Sequence, residues 1–166
     1  MVEIVGRDQE RGFLEAFLDR ADGGPTALVL EGEAGIGKST LWLAGVEAAR
    51  KRGLRVLESR PAETERAVAY AGLGDLLEPA LDDVLPELPA PRRRALEVAL
   101  ALEEETDVPV DPRTLAIAVR NALEVLAPVM VAVDDLQWLD SLARQFYGAP
   151  GAVRLGSKSE AWRCAA

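Results

Sequence analysis

The sequence predicts an α/β protein in which short parallel strands alternate with helices. Three observations carry this prediction. Short apolar runs have the length and composition of buried strands, amphipathic helical patterns separate them, and a glycine-rich turn leads from the first run into a helix. The chain has 166 residues, of which 49% are hydrophobic, and this is enough for one domain with a substantial core.

The first half of the chain has the order helix, strand, helix, strand. Apolar residues at helical spacing predict a helix from Asp8 to Ala21, and the apolar run from Thr26 to Gly32 predicts a buried strand. A second helix is predicted from Lys38 to Arg52, because cations gather at its C-terminus and Gly53 follows directly. The run from Leu54 to Ser59 then predicts a second strand.

Helical patterns continue through the middle of the chain to a third strand. Apolar residues recur at i, i+3, i+4 and i+7 between Leu73 and Leu85, and Pro79 is expected to split or kink this run. Asp111 and Pro112 predict the N-cap and first residue of a further helix. The apolar run from Val129 to Asp135 predicts the third strand. Residues 143–166 have no sustained period, so we expect a disordered tail there.

The composition argues against several classes of function. Asp and Glu total 28 against 19 Lys and Arg, so the formal net charge is −9, and an acidic surface of this kind repels nucleic acids. We therefore expect no DNA binding within this chain. One cysteine, Cys164, and no histidine argue against disulfide scaffolds and zinc sites and favour a cytoplasmic protein. No apolar run is long enough to span a bilayer, so no membrane role is expected.

The stretch LEGEAGIGKSTLW contains the motif that is most informative about function. Gly32, Gly37, Lys38 and Ser39 satisfy the P-loop pattern G-x-x-x-x-G-K-S, with a predicted strand before it and a predicted helix after it. Glycines let backbone N–H groups wrap a polyphosphate at a helix N-terminus. Lys38 can then reach the β and γ phosphates, and the Ser39 hydroxyl can bind Mg²⁺. The alternative is a glycine-rich turn that binds nothing.

Two acidic residues end the third predicted strand. Asp134 is expected at the carboxyl edge of the sheet, where a P-loop also opens, and there it can hold Mg²⁺ through water as a Walker B residue. Asp135 can orient or deprotonate the attacking water, so Asp135 and Lys38 are the candidate catalytic residues. The alternative for the two acids is a polar strand end or a helix cap. Asp140 and Ser141 favour an ordinary helix N-cap over a role in the site.

Three motifs together resemble the nucleotide-binding module of the AAA+/STAND ATPases, and within that group the large ATP-binding regulators of the LuxR type. The motifs are IVGRDQE, GEAGIGKSTLW and VAVDDLQWLD, and the helical text between the second and third strands is also similar, so the resemblance covers about residues 2–142. It implies that Val5, Gly6 and Arg7 lie beside the adenine of ATP. It also implies that the phosphates are held by one continuous loop, made of Gly32, Glu33, Ala34, Gly35, Ile36, Gly37, Lys38, Ser39 and Thr40.

The resemblance also implies a fold, a P-loop NTPase-like three-layer sandwich. The family's sheet has the strand order 2-3-1-4-5, so the three strands predicted here are expected in the order 2-3-1, with the fold truncated after the Walker B strand. Residues 1–142 are then expected to be a partial AAA+/STAND domain. Family members continue with further strands and a DNA-binding helix-turn-helix, and we therefore expect this chain to act as a fragment.

Several functions remain open at this point. The favoured one is binding of ATP and Mg²⁺ with little turnover, in a family whose members are ATP hydrolases. The alternative is a complete small ATPase switch that acts with a partner protein or by self-association. A small-molecule P-loop kinase would need an arginine-bearing lid after the Walker B strand, and an ABC-type subunit would need an LSGGQ-like stretch; the sequence offers neither.

Overall fold

The computed structural model describes residues 7–20, 27–65, 70–104, 110–135 and 152–155. These residues fall into two compact units. The first contains the described residues within Met1–Leu54 and Gly148–Ala166, and the second contains those within Arg55–Tyr147. Both units combine helices with parallel strands, which confirms the predicted α/β class. No helix in the described ranges is long and apolar enough to cross a membrane.

The first unit has two helices and two strands: α1 (Asp8–Asp19), β1 (Ala27–Leu30), α2 (Lys38–Lys51) and β4 (Ala152–Leu155). Strand β1 pairs in parallel with β4 over four residues, from Ala27 opposite Ala152 to Leu30 opposite Leu155. Both predicted helices are confirmed, and each begins at the predicted residue.

The end of α2 is a Schellman motif. Gly53 lies at φ 79°, its N–H donates to the carbonyl of Arg50 at 3.0 Å, and the N–H of Leu54 donates to the carbonyl of Ala49 at 3.1 Å. Glycine adopts this left-handed backbone without strain. The helix end predicted from Gly53 is therefore confirmed.

Helix α1 packs closely against α2. A Cβ at Gly45, in the middle of α2, would lie 3.0 Å from a methyl carbon of Leu14, which is buried in α1. Arg52, the residue after α2, forms an ion pair with Asp19 at 2.9 Å and donates to the carbonyl of Glu15 at 3.4 Å. The two helices are thus joined at their middle by apolar contact and at one end by polar contacts.

The second unit contains two strands and four helices: β2 (Arg55–Ser59), α3 (Ala71–Leu77), α4 (Leu81–Val84), α5 (Ala90–Ala99), α6 (Pro112–Val125) and β3 (Val129–Val133). A 3₁₀ turn at Glu78–Ala80 separates α3 from α4, as Pro79 predicted. The core consists mainly of leucines and small apolar residues from the helices. Its largest fully buried side chains include Leu73, Leu76, Leu77, Leu96 and Leu115.

Strands β2 and β3 are parallel neighbours, with Arg55 opposite Val129 and Ser59 opposite Val133. This confirms the 2-3 part of the predicted strand order. The third member of the order 2-3-1 is not confirmed, because the described strands form two separate two-stranded sheets and β1 pairs with β4. A strand needs a partner for its N–H and C=O groups, and residues 152–155 supply one to β1.

Residues 152–155 also belong to the segment 143–166, for which the sequence predicted a disordered tail. The structure differs from that prediction at these four residues, since they form β4. Residues 152–155 read AVRL, which does not alternate apolar and polar residues, so the sequence gives no period of two there. The rest of the segment lies outside the described residues, so the prediction stays a prediction there.

Candidate nucleotide-binding site

The turn between β1 and α2 has a backbone that favours glycine at two positions. Gly35 lies at φ 79° and Gly37 at φ 91°, where other residues would be strained. The N–H of Ile36 donates to the carbonyl of Glu33 at 3.4 Å within the turn. Only Gly37 of these two glycines is fixed by the P-loop pattern, so the structure adds Gly35 to the positions where glycine is needed.

Helix α2 begins without a side-chain cap. Its N-cap residue is Gly37, which has no side chain to accept hydrogen bonds from the N–H groups of the first turn, and the first intrahelical bond runs from the Leu41 N–H to the Gly37 carbonyl at 3.2 Å. The N-terminus of a helix also carries about half a positive charge from the aligned peptide dipoles. This arrangement suits an anion such as a phosphate.

Lys38 folds back over the start of the loop. Its ammonium group donates to the carbonyls of Gly32 and Glu33, each at 2.9 Å. A lysine ammonium has three N–H donors, so one donor remains for a phosphate oxygen after these two bonds. Lys38 therefore closes the loop and at the same time brings a positive charge to it.

Arg7 lies against the same loop. Its Nη2 and Cζ atoms are 3.3 and 3.6 Å from the position that a Cβ at Gly37 would occupy. Arg7 is the N-cap residue of α1, and its carbonyl accepts a hydrogen bond from the Arg11 N–H at 3.0 Å. The predicted place of Val5 and Gly6 beside adenine lies outside the described residues, and the adenine role of Arg7 stays a prediction.

Asp134 and Asp135 follow β3 in the second unit, at the strand end where the sequence predicted them. The Asp134 N–H donates to the Ser59 carbonyl at 3.1 Å, so the pairing of β2 and β3 continues one residue past the strands. The Asp135 N–H donates to the Asp134 carboxylate at 3.1 Å. Asp135 itself lies at φ 54°, an uncommon conformation for a residue other than glycine, and such residues cluster at functional sites.

Mg²⁺ bound with a nucleotide takes several of its ligands from phosphates and water, and the protein supplies one or two oxygens. Ser39, in the first turn of α2, and Asp134, after β3, have the chemistry for this role. Within the described ranges, no three acidic, histidine or cysteine side chains form a cluster of the kind that holds a metal alone. Asp140 and Ser141, for which a helix cap was predicted, lie outside the described residues.

Sequence analysis did not single out Gly45, although a signal for it was present. An isolated glycine inside a helical pattern costs helix stability and usually has a packing reason. Here the reason is the approach of Leu14 to within 3.0 Å of the missing Cβ. Gly45 therefore belongs to the contact that fixes α1, and with it Arg7, on α2.

Comparison with protein families agrees with this geometry. The model of the AAA ATPase domain matches residues 3–149. The chain belongs to this family. An AAA ATPase domain binds nucleotide through a P-loop, and this role fits the turn at Gly32–Thr40, whose glycines and helix start suit a phosphate. The match extends past Leu142, where the predicted domain ended. No curated protein and no solved structure matched this chain.

Proposed function

We propose that this AAA ATPase module binds ATP with Mg²⁺, as the regulatory ATPase domain of the LuxR-type STAND transcriptional regulators does. The observation that supports this most is the P-loop itself. Its glycines at φ 79° and 91°, its uncapped helix start and the Lys38 ammonium over its carbonyls together provide donors and positive charge for a polyphosphate. The STAND and LuxR part of the proposal rests on the sequence resemblance, and the proposed cytoplasmic location rests on the single cysteine of the chain.

Each site residue has a distinct role in this proposal. The loop from Gly32 to Thr40 holds the phosphates, with Lys38 on the β and γ phosphates. Ser39 and Asp134 hold Mg²⁺, and Asp135 orients the water that attacks the γ phosphate. Val5 and Gly6 lie beside the adenine.

We further propose that the module binds ATP but hydrolyses it slowly. Binding needs the phosphate loop alone, and this loop lies wholly within the first unit. Hydrolysis also needs the carboxylates of Asp134 and Asp135, held within a fraction of an ångström of the γ phosphate and its water. The alternative is a complete ATPase switch, in which a partner protein or a second copy of the chain fixes the acids in place.

A thermal melting experiment with ATP and Mg²⁺ tests the binding. A ligand at 100 times its Kd that binds only the folded protein stabilises it by about 2.7 kcal/mol. We expect ATP and Mg²⁺ to raise the melting temperature of the wild-type chain and of the matched control, Lys51→Ala. Lys51 is a suitable control because it is an exposed lysine at the far end of α2 that pairs with Glu47. We expect no rise in the melting temperature of Lys38→Ala. Equal shifts for Lys38→Ala and Lys51→Ala would contradict binding through the P-loop.

Phosphate release distinguishes the slow module from the complete ATPase. Ordinary enzymes turn over at roughly 1 s⁻¹ or faster. We expect the purified chain to release phosphate far more slowly than this, and Asp135→Asn to bind ATP as the wild type does. Release by the isolated chain at or above about 1 s⁻¹ that disappears in Asp135→Asn would show that no partner is needed.

A further inference from the structure

A second cation lies at the phosphate loop besides Lys38. The Arg7 guanidinium is 3.3 Å from the position of a Cβ at Gly37, the residue directly before Lys38. A Cβ at position 37 would press on the guanidinium, which would have to move by a few tenths of an ångström. Arg7 and Lys38 reach the loop from different helices, one from the N-cap of α1 and one from the first residue of α2.

Arg7 places a second positive charge beside the N-terminus of α2. The N-terminus of α2 carries about half a positive charge, and the guanidinium beside it adds a full positive charge. Of the ion pairs that the described residues form with one another, none includes Arg7. The guanidinium and the positive end of the α2 dipole repel each other, whereas a phosphate at the loop would attract both.

The packing of α1 on α2 holds Arg7 in this position. Leu14 fills the space that the missing Cβ of Gly45 leaves open, and Arg52 joins the C-terminal ends of the helices through Asp19 and the Glu15 carbonyl. These contacts lie along α1, on the C-terminal side of Arg7. A rigid helix fixed at its middle and its end also has a fixed N-terminus, where Arg7 stands.

We propose that Arg7 binds the polyphosphate of the nucleotide, and that the Gly45–Leu14 contact positions it for this. The proposal rests on nucleotide binding by the P-loop and deepens it, because it assigns the phosphates, and not the adenine, as the part of the ligand that Arg7 recognises. Arginine suits this role, since its planar fork of donors matches phosphate oxygens.

Binding measurements with four ligands test the role of Arg7: ATP with Mg²⁺, GTP with Mg²⁺, inorganic tripolyphosphate and adenosine. A charged hydrogen bond contributes about 1.5–3 kcal/mol, so we expect Arg7→Gln to weaken ATP, GTP and tripolyphosphate binding by at least about tenfold and to leave adenosine unchanged. Arg11→Gln is the matched control, because Arg11 is an exposed arginine one turn along the same helix. It should bind all four ligands as the wild type does.

The outcomes separate the two proposals. If Arg7→Gln binds ATP as tightly as the wild type, or loses only the adenine-containing ligands, the phosphate role of Arg7 is wrong and the P-loop proposal stands. If the wild-type chain binds neither ATP nor tripolyphosphate, both proposals are wrong.

A double-mutant cycle tests the positioning. Gly45→Val pushes Leu14 and α1 away from α2, so we expect weaker ATP binding in the wild-type background and little further loss in the Arg7→Gln background. Adding Leu14→Ala to Gly45→Val should restore part of the affinity, because it removes the side chain that the valine displaces. An equal loss from Gly45→Val in both backgrounds would mean that the contact acts on stability alone. If Gly45→Val does not fold, the ligand series with Arg7→Gln decides the proposal by itself.

Discussion

Helices α2 and α6 have the same length, 14 residues, but their first turns are satisfied in different ways. At the start of α6, the Asp111 carboxylate accepts hydrogen bonds from the N–H groups of Arg113 at 3.3 Å and Thr114 at 3.0 Å. At the start of α2, Gly37 offers no side-chain acceptor. A helix that serves only the fold closes its own N-terminus, whereas a helix that serves a ligand leaves those donors for the ligand.

The two units also differ in which residues adopt a positive φ. Among the described residues with positive φ, those of the first unit are all glycines, namely Gly35, Gly37 and Gly53. Those of the second unit are Tyr70, Ala101 and Asp135. The first unit therefore has relaxed left-handed turns, and the second unit holds three side chains in a conformation that costs about 1–2 kcal/mol each.

The largest effect should come from placing a side chain at the N-cap of α2. Gly37→Ala introduces a Cβ at φ 91°, 3.3 Å from the Arg7 guanidinium, so we expect ATP affinity to fall at least about tenfold as the loop shifts. Gly53→Ala is the matched control, because it creates a similar strain at φ 79° with nothing within 4 Å of the new Cβ. It should lower stability but leave ATP affinity unchanged. Calorimetric titration of both variants checks this, and equal affinities would show that the turn tolerates a side chain.

A smaller effect should come from removing the side-chain cap of α6. Asp111→Ala removes the acceptor for two N–H groups, and we expect the melting temperature to fall by about 3 °C at pH 7, with Asp111→Asn falling less because asparagine also caps. The hydrogen bond from the Thr114 hydroxyl, followed by the bonds from the Thr114 and Arg113 N–H groups, lowers the pKa of Asp111 from its ordinary value of 3.8.

The lowered pKa gives this effect a pH dependence with a definite sign. The carboxylate stabilises the folded state above the unfolded pKa, and this stabilisation is lost as the pH falls below 3.8 and through the folded value. The melting temperatures of the wild type and Asp111→Asn should therefore converge in that acidic range. A gap that stays constant from pH 7 to pH 3 would mean that the charge of Asp111 has no part in the cap.

The smallest effect should come from exchanging glycine and alanine at two helix ends. Helix α5 ends in the same motif as α2, with the Ala101 N–H bonded to the Val98 carbonyl at 3.0 Å and the Leu102 N–H bonded to the Glu97 carbonyl at 2.8 Å. Ala101 lies at φ 56° where α2 has Gly53. We expect Ala101→Gly to stabilise the protein by about 0.5–1 kcal/mol and Gly53→Ala to destabilise it by a similar amount. Urea denaturation measures both, and two shifts of the same sign would refute the comparison.

Sequence patterns predicted the parts of this molecule that depend on neighbours in the chain. The start of α6 follows from Asp111 and Pro112, the end of α2 follows from Gly53, and the P-loop follows from a pattern of eight consecutive residues. Each signal acts within one or two turns, so a single sequence is enough to recognise it.

Contacts between distant parts of the chain could not be predicted in this way. The pairing of β1 with residues 152–155 joins segments more than a hundred residues apart, and residues 152–155 do not alternate apolar and polar positions. The place of Arg7 beside Gly37 depends on how α1 packs on α2, and the sequence motif that contains Arg7 implied adenine. The tertiary contact, and not the motif, supplies the argument for phosphate.

The hydrogen-bonded ladder between β2 and β3 limits how the length of β3 can vary. It begins with the Arg55 N–H on the Pro128 carbonyl at 3.2 Å and ends with the Asp134 N–H on the Ser59 carbonyl at 3.1 Å. Because side chains alternate along a strand, one residue inserted in β3 would turn Asp134 to the opposite face, whereas two inserted residues would return it to its own face but displace it along the strand. Related genes should therefore carry their insertions and deletions outside β3.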